Sequence, residues 1–246
     1  MPIQAVEPQR LYRRIAEQIA RLIKRGEYKP GERLPPERDL AAMLKVSRPS
    51  VREALIALEV EGYVDVRVGS GVYVARSDIQ RAKAAQPASD SGPFELISAR
   101  RLLESECAAL AAKNASPAQI KRMRAALNAM IRDRKRNVVP LENDRRFHLE
   151  MAEASGNSAL ALVVRTLWDQ RTGPLFLQLE HHFDTPQLWD AAITEHRAVI
   201  DAIEKGDAVK ARGTMRRHMD EAARRFQKSW TDRPVRQGKK RTNGAA

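Results

Sequence analysis

With 246 residues, 43% of them apolar and only 5% aromatic, the chain has the length of two ordinary domains, and its helix formers point to a mostly helical protein. No segment offers the roughly 20 uncharged apolar residues of a membrane span, MPIQAVEPQR is no secretory signal, and a lone Cys107 excludes intrachain disulfides, which fits a reducing cytoplasm. The 44 basic against 31 acidic residues leave +13, which calls for an anionic partner such as nucleic acid or an acidic surface.

In chain order, residues 1–9 are expected to be a flexible start. Leu11, Ile15, Ile19 and Leu22 then recur at helical spacing, and Gly26 stands where a helix would stop. Lys29-Pro30-Gly31 reads as a turn, Glu32 to Pro35 as a short extended piece, and Glu37 to Leu44 as a second helix opened by Pro35-Pro36. Ser47 is the expected N-cap of a third helix with Val51, Ala54, Leu55 and Leu58 inward and Gly62 at its end. The period then changes from 3.6 to 2. Val64, Val66 and Val68 alternate with Tyr63, Asp65 and Arg67, and Gly69-Ser70-Gly71 turns the chain back into VYV. Three helices followed by a hairpin is the order of a winged helix-turn-helix, here over residues 10–76.

Residues 77–92 are small and polar, contain Pro87, and read as a linker. From 93 to 228 the signatures are helical throughout: 94–114, 117–136, 140–155, 157–180 with a kink at Pro174, 187–204 and 207–228. Helices of this length can bury a substantial core as an all-α bundle. The last segment, residues 229–246, places Arg233, Arg236, Lys239, Lys240 and Arg241 among Pro, Gly and Asn and is expected to be a flexible basic tail.

Setting Val51 and Leu55 inward puts Arg48, Pro49 and Arg52 on the outward face of the third helix, with Ser47 and Ser50 at its first turn. Arginine can read guanine O6 and N7 in the major groove, while hydroxyls and backbone N–H groups at a helix start suit phosphates. Arg38 lies where the preceding helix crosses the DNA backbone. The pieces PGERLPPERDLA, VSRPSVREAL and GSGVYV, within about the first 76 residues, resemble the GntR family of bacterial transcription regulators. The resemblance implies a winged helix that binds double-stranded DNA as a homodimer. It also implies that Arg38, Arg48, Ser50 and Arg52 match the usual DNA-contacting positions and that Gly71 lies at the wing tip near the minor groove.

Asp144 and His148 stand four apart on one helix face, close enough to share an ion, although surface Asp–His pairs are common. His196 and His218 sit at similar distances either side of the short turn Gly206-Asp207. They either complete a site for a divalent ion such as Zn²⁺, Ni²⁺ or Mn²⁺ or pack in the core with bonds to backbone. His181 and His182, beside an expected loop, read as surface residues.

The segments FELISARRLLESECAALAA, NDRRFHLEMAEASGN, EHRAVIDAI and MRRHMDEA resemble the FCD effector domain of the FadR subfamily. The resemblance implies that Asp144, His148, His196 and His218 are four metal ligands and that Arg100 faces an effector carboxylate. Within the subfamily, LEVEGYVDVRVGSGVYV and NSALALVVRTLWDQRTGPLF look most like repressors of hexuronate catabolism.

The expected function is therefore a ligand-responsive regulator, a repressor acting as a dimer on a palindromic operator, whose effector is a small carboxylate of hexuronate or ketouronate type held at a metal site. A regulator of another hydroxy-acid pathway such as lactate, a metal-dependent hydrolase and an architectural DNA binder are the alternatives. Against the hydrolase, the sequence offers no convincing nucleophile and no Glu set beside the ligands as in a HExxH helix.

Overall fold

The computed structural model describes residues 10–76, 91–183 and 185–227. The expected flexible start, the basic tail and all but the last two residues of the expected linker lie outside them. The chain divides into two compact units, one amino-terminal and one over residues 87–227.

The first unit holds α1 (Leu11–Lys24), α2 (Glu37–Leu44), α3 (Arg48–Val60), β1 (Val64–Arg67) and β2 (Gly71–Val74). In α1 the inward stripe is Tyr12, Ile15, Ala16, Ile19 and Ile23, so Leu11, expected inward, is 48% exposed. Ser47 caps α3, its side chain accepting from the Ser50 N–H at 3.3 Å, which satisfies one of the donors that every helix start leaves open. The hairpin pairs Val64 with Val74 and Val66 with Val72. The extended piece before α2 lies along β2: Leu34 N–H donates to the Val72 carbonyl at 2.9 Å and Val74 N–H to that of Glu32 at 2.8 Å. Gly71 opens β2 rather than ending the turn. Its φ of +125° favours glycine there, and the Arg33 guanidinium lies against the open side where a Cβ would stand.

The second unit is all helical: α4 (Pro93–Asn114), α5 (Pro117–Lys135), α6 (Leu141–Ala154), α7 (Ser158–Asp169), α8 (Pro174–Phe183), α9 (Pro186–Glu204) and α10 (Ala208–Gln227). The expected single helix 157–180 is two. After α7 the chain makes one 3-10 turn at Gln170–Thr172, Gly173 turns extended at ψ 150°, and Pro174 starts α8. The proline ring disfavours the α conformation in the residue before it, so the helix stops instead of kinking. Helix α4 packs against α6, α7, α9 and α10. Its inward residues Cys107, Ala108 and Ala111 are small and fully covered, which lets its neighbours approach closely. Phe147, Met151, Trp168, Val199, Ile200 and Met215 fill the core around it, each large side chain contributing about 1.5–3 kcal/mol on burial. Burial pushes the Cys107 thiol up to about 12, so it behaves as a small apolar side chain.

Candidate metal centre and cavity

Helix α6 turns Asp144 and His148 inward together, α9 brings His196 and α10 brings His218. All four are buried, and one ligand atom from each lies within 4.8 Å of every other. The four positions singled out in the sequence therefore meet at one point.

Hydrogen bonds fix which ring nitrogens face that point. His196 Nδ1 is 2.6 Å from the Ala192 carbonyl, His218 Nδ1 is 2.7 Å from Glu195 Oε2, and His148 Nδ1 bonds the Glu104 carboxylate. Those three partners are acceptors only, so each neutral imidazole carries its proton on Nδ1 and turns a lone pair inward on Nε2. His148 Nε2 and His196 Nε2 then stand 3.1 Å apart as two acceptors. Asp144 Oδ1 lies 2.9 Å from His196 Nε2, yet it is buried with no hydrogen pointing at it. Lone pairs opposed in a dry interior are unfavourable unless a cation or a proton lies between them. Three imidazoles and one carboxylate suit a borderline divalent ion, and the residues present fit one.

In the protein alone a proton is the substitute. Burial pushes the Asp144 carboxyl up, but the adjoining His148 and His196 rings outweigh it and hold it well below the carboxylate range. Burial pulls His148 down, and the charge of Glu104 followed by the bond to Asp144 raises it above the ordinary imidazole value. Burial, then repulsion from His196 and His148, hold His218 well below that value.

The cluster borders a cavity of about 70 Å³ to which Asp144, His218, Arg100, Arg171, Glu180 and Arg225 contribute, with Trp189 among its apolar walls. Arg100 is buried, donates to Glu104 at 2.7 Å and stacks 3.9 Å over Trp168. Burial lowers its pKa, opposed by Glu104. Arg171 donates to Asp144 Oδ2 at 3.3 Å and to Glu180, while its Nε and the Trp189 Nε1 are buried donors with no partner. The cavity beside the ion cluster is thus bordered by the guanidinium groups of Arg100, Arg171 and Arg225, which suits an anionic ligand.

Several of these residues escaped sequence reasoning. Glu104 had a signal, since it is four residues after Arg100 on the same helix face. Glu195 lies next to His196 but serves His218, held there by Arg225 at 3.0 and 2.9 Å, and nothing in the sequence announces that. Glu104 and Glu195 stand beside His148 and His218, though not as the Glu of a HExxH helix would. They bond the ring nitrogens that face away from the cluster, where they orient imidazoles. His182 is buried on the last turn of α8, not on the surface, whereas His181 is exposed.

In the first unit, the Arg38 side chain is 84% exposed and that of Arg48 50%. Ser47 and Ser50 share a 2.9 Å hydroxyl contact at the start of α3. Arg52, expected on the outward face, is instead 1% exposed. Helix α3 is covered on all sides from Val51 to Leu58, because α2 lies on the side that the two-residue inward stripe left open. The first turn and the last residue, Val60, protrude.

Residues 11–74 match the model of the bacterial regulatory proteins of the gntR family, and residues 95–221 that of the FCD domain. The chain is 39% identical over 228 residues to the Uxu operon transcriptional regulator of Escherichia coli strain K12, covering 90% of this chain and 89% of that one. It is 36% identical over 225 residues to the Exu regulon transcriptional regulator of the same strain, covering 89% and 85%. A third relative from that strain, named for the L-lactate dehydrogenase operon, is 32% identical over 222 residues, covering 87% and 85%.

Proposed function

The chain belongs to the GntR family of bacterial regulators and carries an FCD domain, which makes it a transcription regulator rather than an enzyme, and we propose that it is a cytoplasmic repressor released from DNA by a hexuronate or ketouronate. One observation carries this reading: three imidazole lone pairs and a donor-less Asp144 oxygen converge beside a cavity walled by Arg100. Asp144, His148, His196 and His218 hold a divalent ion of Zn, Ni or Mn type, which when bound supplies Lewis acidity toward a carboxylate and its neighbouring oxygen. Arg100 orients the acid through paired N–H bonds, and the apolar wall excludes water. The hexuronate class is supported by the resemblance to repressors of hexuronate catabolism and by the identity to the Uxu and Exu regulators. The relative named for the lactate dehydrogenase operon supports a second reading, a smaller hydroxy acid at the same site.

Two copies bind a palindromic operator, since one winged helix reads too few base pairs for tight specific binding. Arg48 enters the major groove. Arg38, Ser47 and Ser50 hold phosphates, and Gly71 begins the strand that follows the wing tip. The effector acts by binding one dimer geometry better than the other, because equal affinity for both would change nothing.

Calorimetry on protein of measured metal content tests the site. His196→Ala loses both metal and effector response, whereas Arg100→Ala keeps the metal and loses most effector affinity. A hexuronate or ketouronate binding chelated wild type as well as the loaded protein overturns the reading.

A further inference from the structure

In the first unit Arg52 and Glu37 form a buried pair between α3 and α2. Arg52 Nε and a terminal N–H both donate to Glu37 Oε2, at 2.8 and 2.6 Å. The side chains are 1% and 7% exposed. The other carboxylate oxygen, Glu37 Oε1, accepts from Arg48 Nε at 3.2 Å, and the Arg48 side chain is half exposed. One carboxylate thus joins a covered arginine to an open one.

We propose that Arg52 is a positioning residue: it neutralises and holds Glu37 so that Glu37 aims the Arg48 guanidinium, and Arg52 itself touches no DNA. The inference rests on the reading of Arg48 as the base-contacting residue. Drawing Arg52 out to a phosphate would take from a buried carboxylate the covered arginine that donates two N–H groups to it, which is unfavourable. Leaving it in place fixes Arg48 by its Nε and keeps the outer N–H groups of that guanidinium for a guanine edge, where two parallel bonds demand a defined orientation. A held side chain also surrenders less rotamer freedom on binding.

The test uses the full chain and a duplex that the wild type selects from random-sequence DNA, with a scrambled duplex of equal length as reference. Affinity is measured across a salt series for Arg48→Ala, Arg52→Gln and the double variant Arg52→Gln/Glu37→Gln. The double variant removes both charges of the buried pair, so it keeps the test open if Arg52→Gln fails to fold. Arg48→Ala and the double variant should each lose about 10-fold or more of the preference for the selected duplex. The double variant should keep the wild-type slope of log affinity against log salt, since no phosphate contact is lost. A slope shallower by about 0.9 makes Arg52 a phosphate ligand and overturns the proposal. So does an undiminished preference in the double variant when Arg48→Ala has lost it. If Arg48→Ala keeps the preference, the base-reading role of Arg48 fails first and the Arg52 role fails with it.

Discussion

Each unit buries a carboxylate among cationic side chains, and the two outcomes differ. Around Glu37 both carboxylate oxygens accept N–H groups, from Arg52 and from Arg48, so the cluster is closed and acts as a strut between α2 and α3. Around Asp144 one oxygen accepts from Arg171, while the other faces ring nitrogens whose protons point elsewhere. Burial and charge are similar in the two places. What separates a strut from a site is the count of donors against acceptors, and an excess of inward lone pairs leaves room for a cation.

The strongest way to break this comparison is to open the part of the second cluster that is closed. Glu104→Ala removes the shared acceptor of Arg100 and His148. It should destabilise the second unit by about 3–5 kcal/mol, the range for leaving a buried charge unpaired. Urea unfolding of wild type and variant measures it. A loss under about 1 kcal/mol would mean that Arg100 and His148 find other partners.

A smaller effect sharpens the contrast by adding the ion. At a divalent ion concentration of about 100 times Kd, the second unit should gain about 2.7 kcal/mol, and His196→Ala should abolish the gain. The pH dependence separates the two states further. His218 has a depressed folded value, so its contribution is present above the unfolded imidazole value of about 6.5 and is lost as pH falls below it. His148 has a raised folded value, so its contribution is complete below about 6.5 and is lost as pH rises through the folded value. In chelated protein these trends oppose each other. With the ion bound all the imidazoles must be deprotonated, and His148 has a raised folded value, so the ion-dependent gain should already decline above about 6.5, as pH falls through that value. Thermal midpoints against pH, with and without chelator, decide it, and parallel curves would count against the cluster as an ion site.

The smallest effect concerns an arginine outside either cluster. Arg38 is open to solvent beside Asp39, so Arg38→Ala should leave folding unchanged and make the salt slope of DNA binding shallower by about 0.9. An unchanged slope would remove it from the phosphate contacts.

Much of this was legible because it follows from period and spacing. The hairpin after α3 shows in the alternating valines, and α9 and α10 meet across Gly206 at a distance that levels His196 with His218, whose rings lie 4.3 Å apart. The rest depends on facts that one helix cannot carry. Arg52 is buried because α2 covers it, and a projection of α3 alone leaves that side open. Arg171 and Glu195 reach the cluster from elements whose inward faces carry no periodic mark for a polar residue. Pro174 gave notice of an interruption, but whether a proline bends a helix or starts another depends on the residue before it, here the extended Gly173.

The two oxygens of Asp144 bear on how such a site can evolve. One faces the three imidazoles, and the other accepts from Arg171, which also holds Glu180 on α8. Positions 144, 171 and 180, on three different elements, are therefore energetically coupled. Replacing Glu180 leaves the charge of Arg171 to fall on Asp144 alone and weakens that carboxylate as a ligand, and replacing Arg171 strands two carboxylates at once. A lineage that alters the cavity wall to take a different acid thereby alters its affinity for the ion, and selection on one is felt at the other.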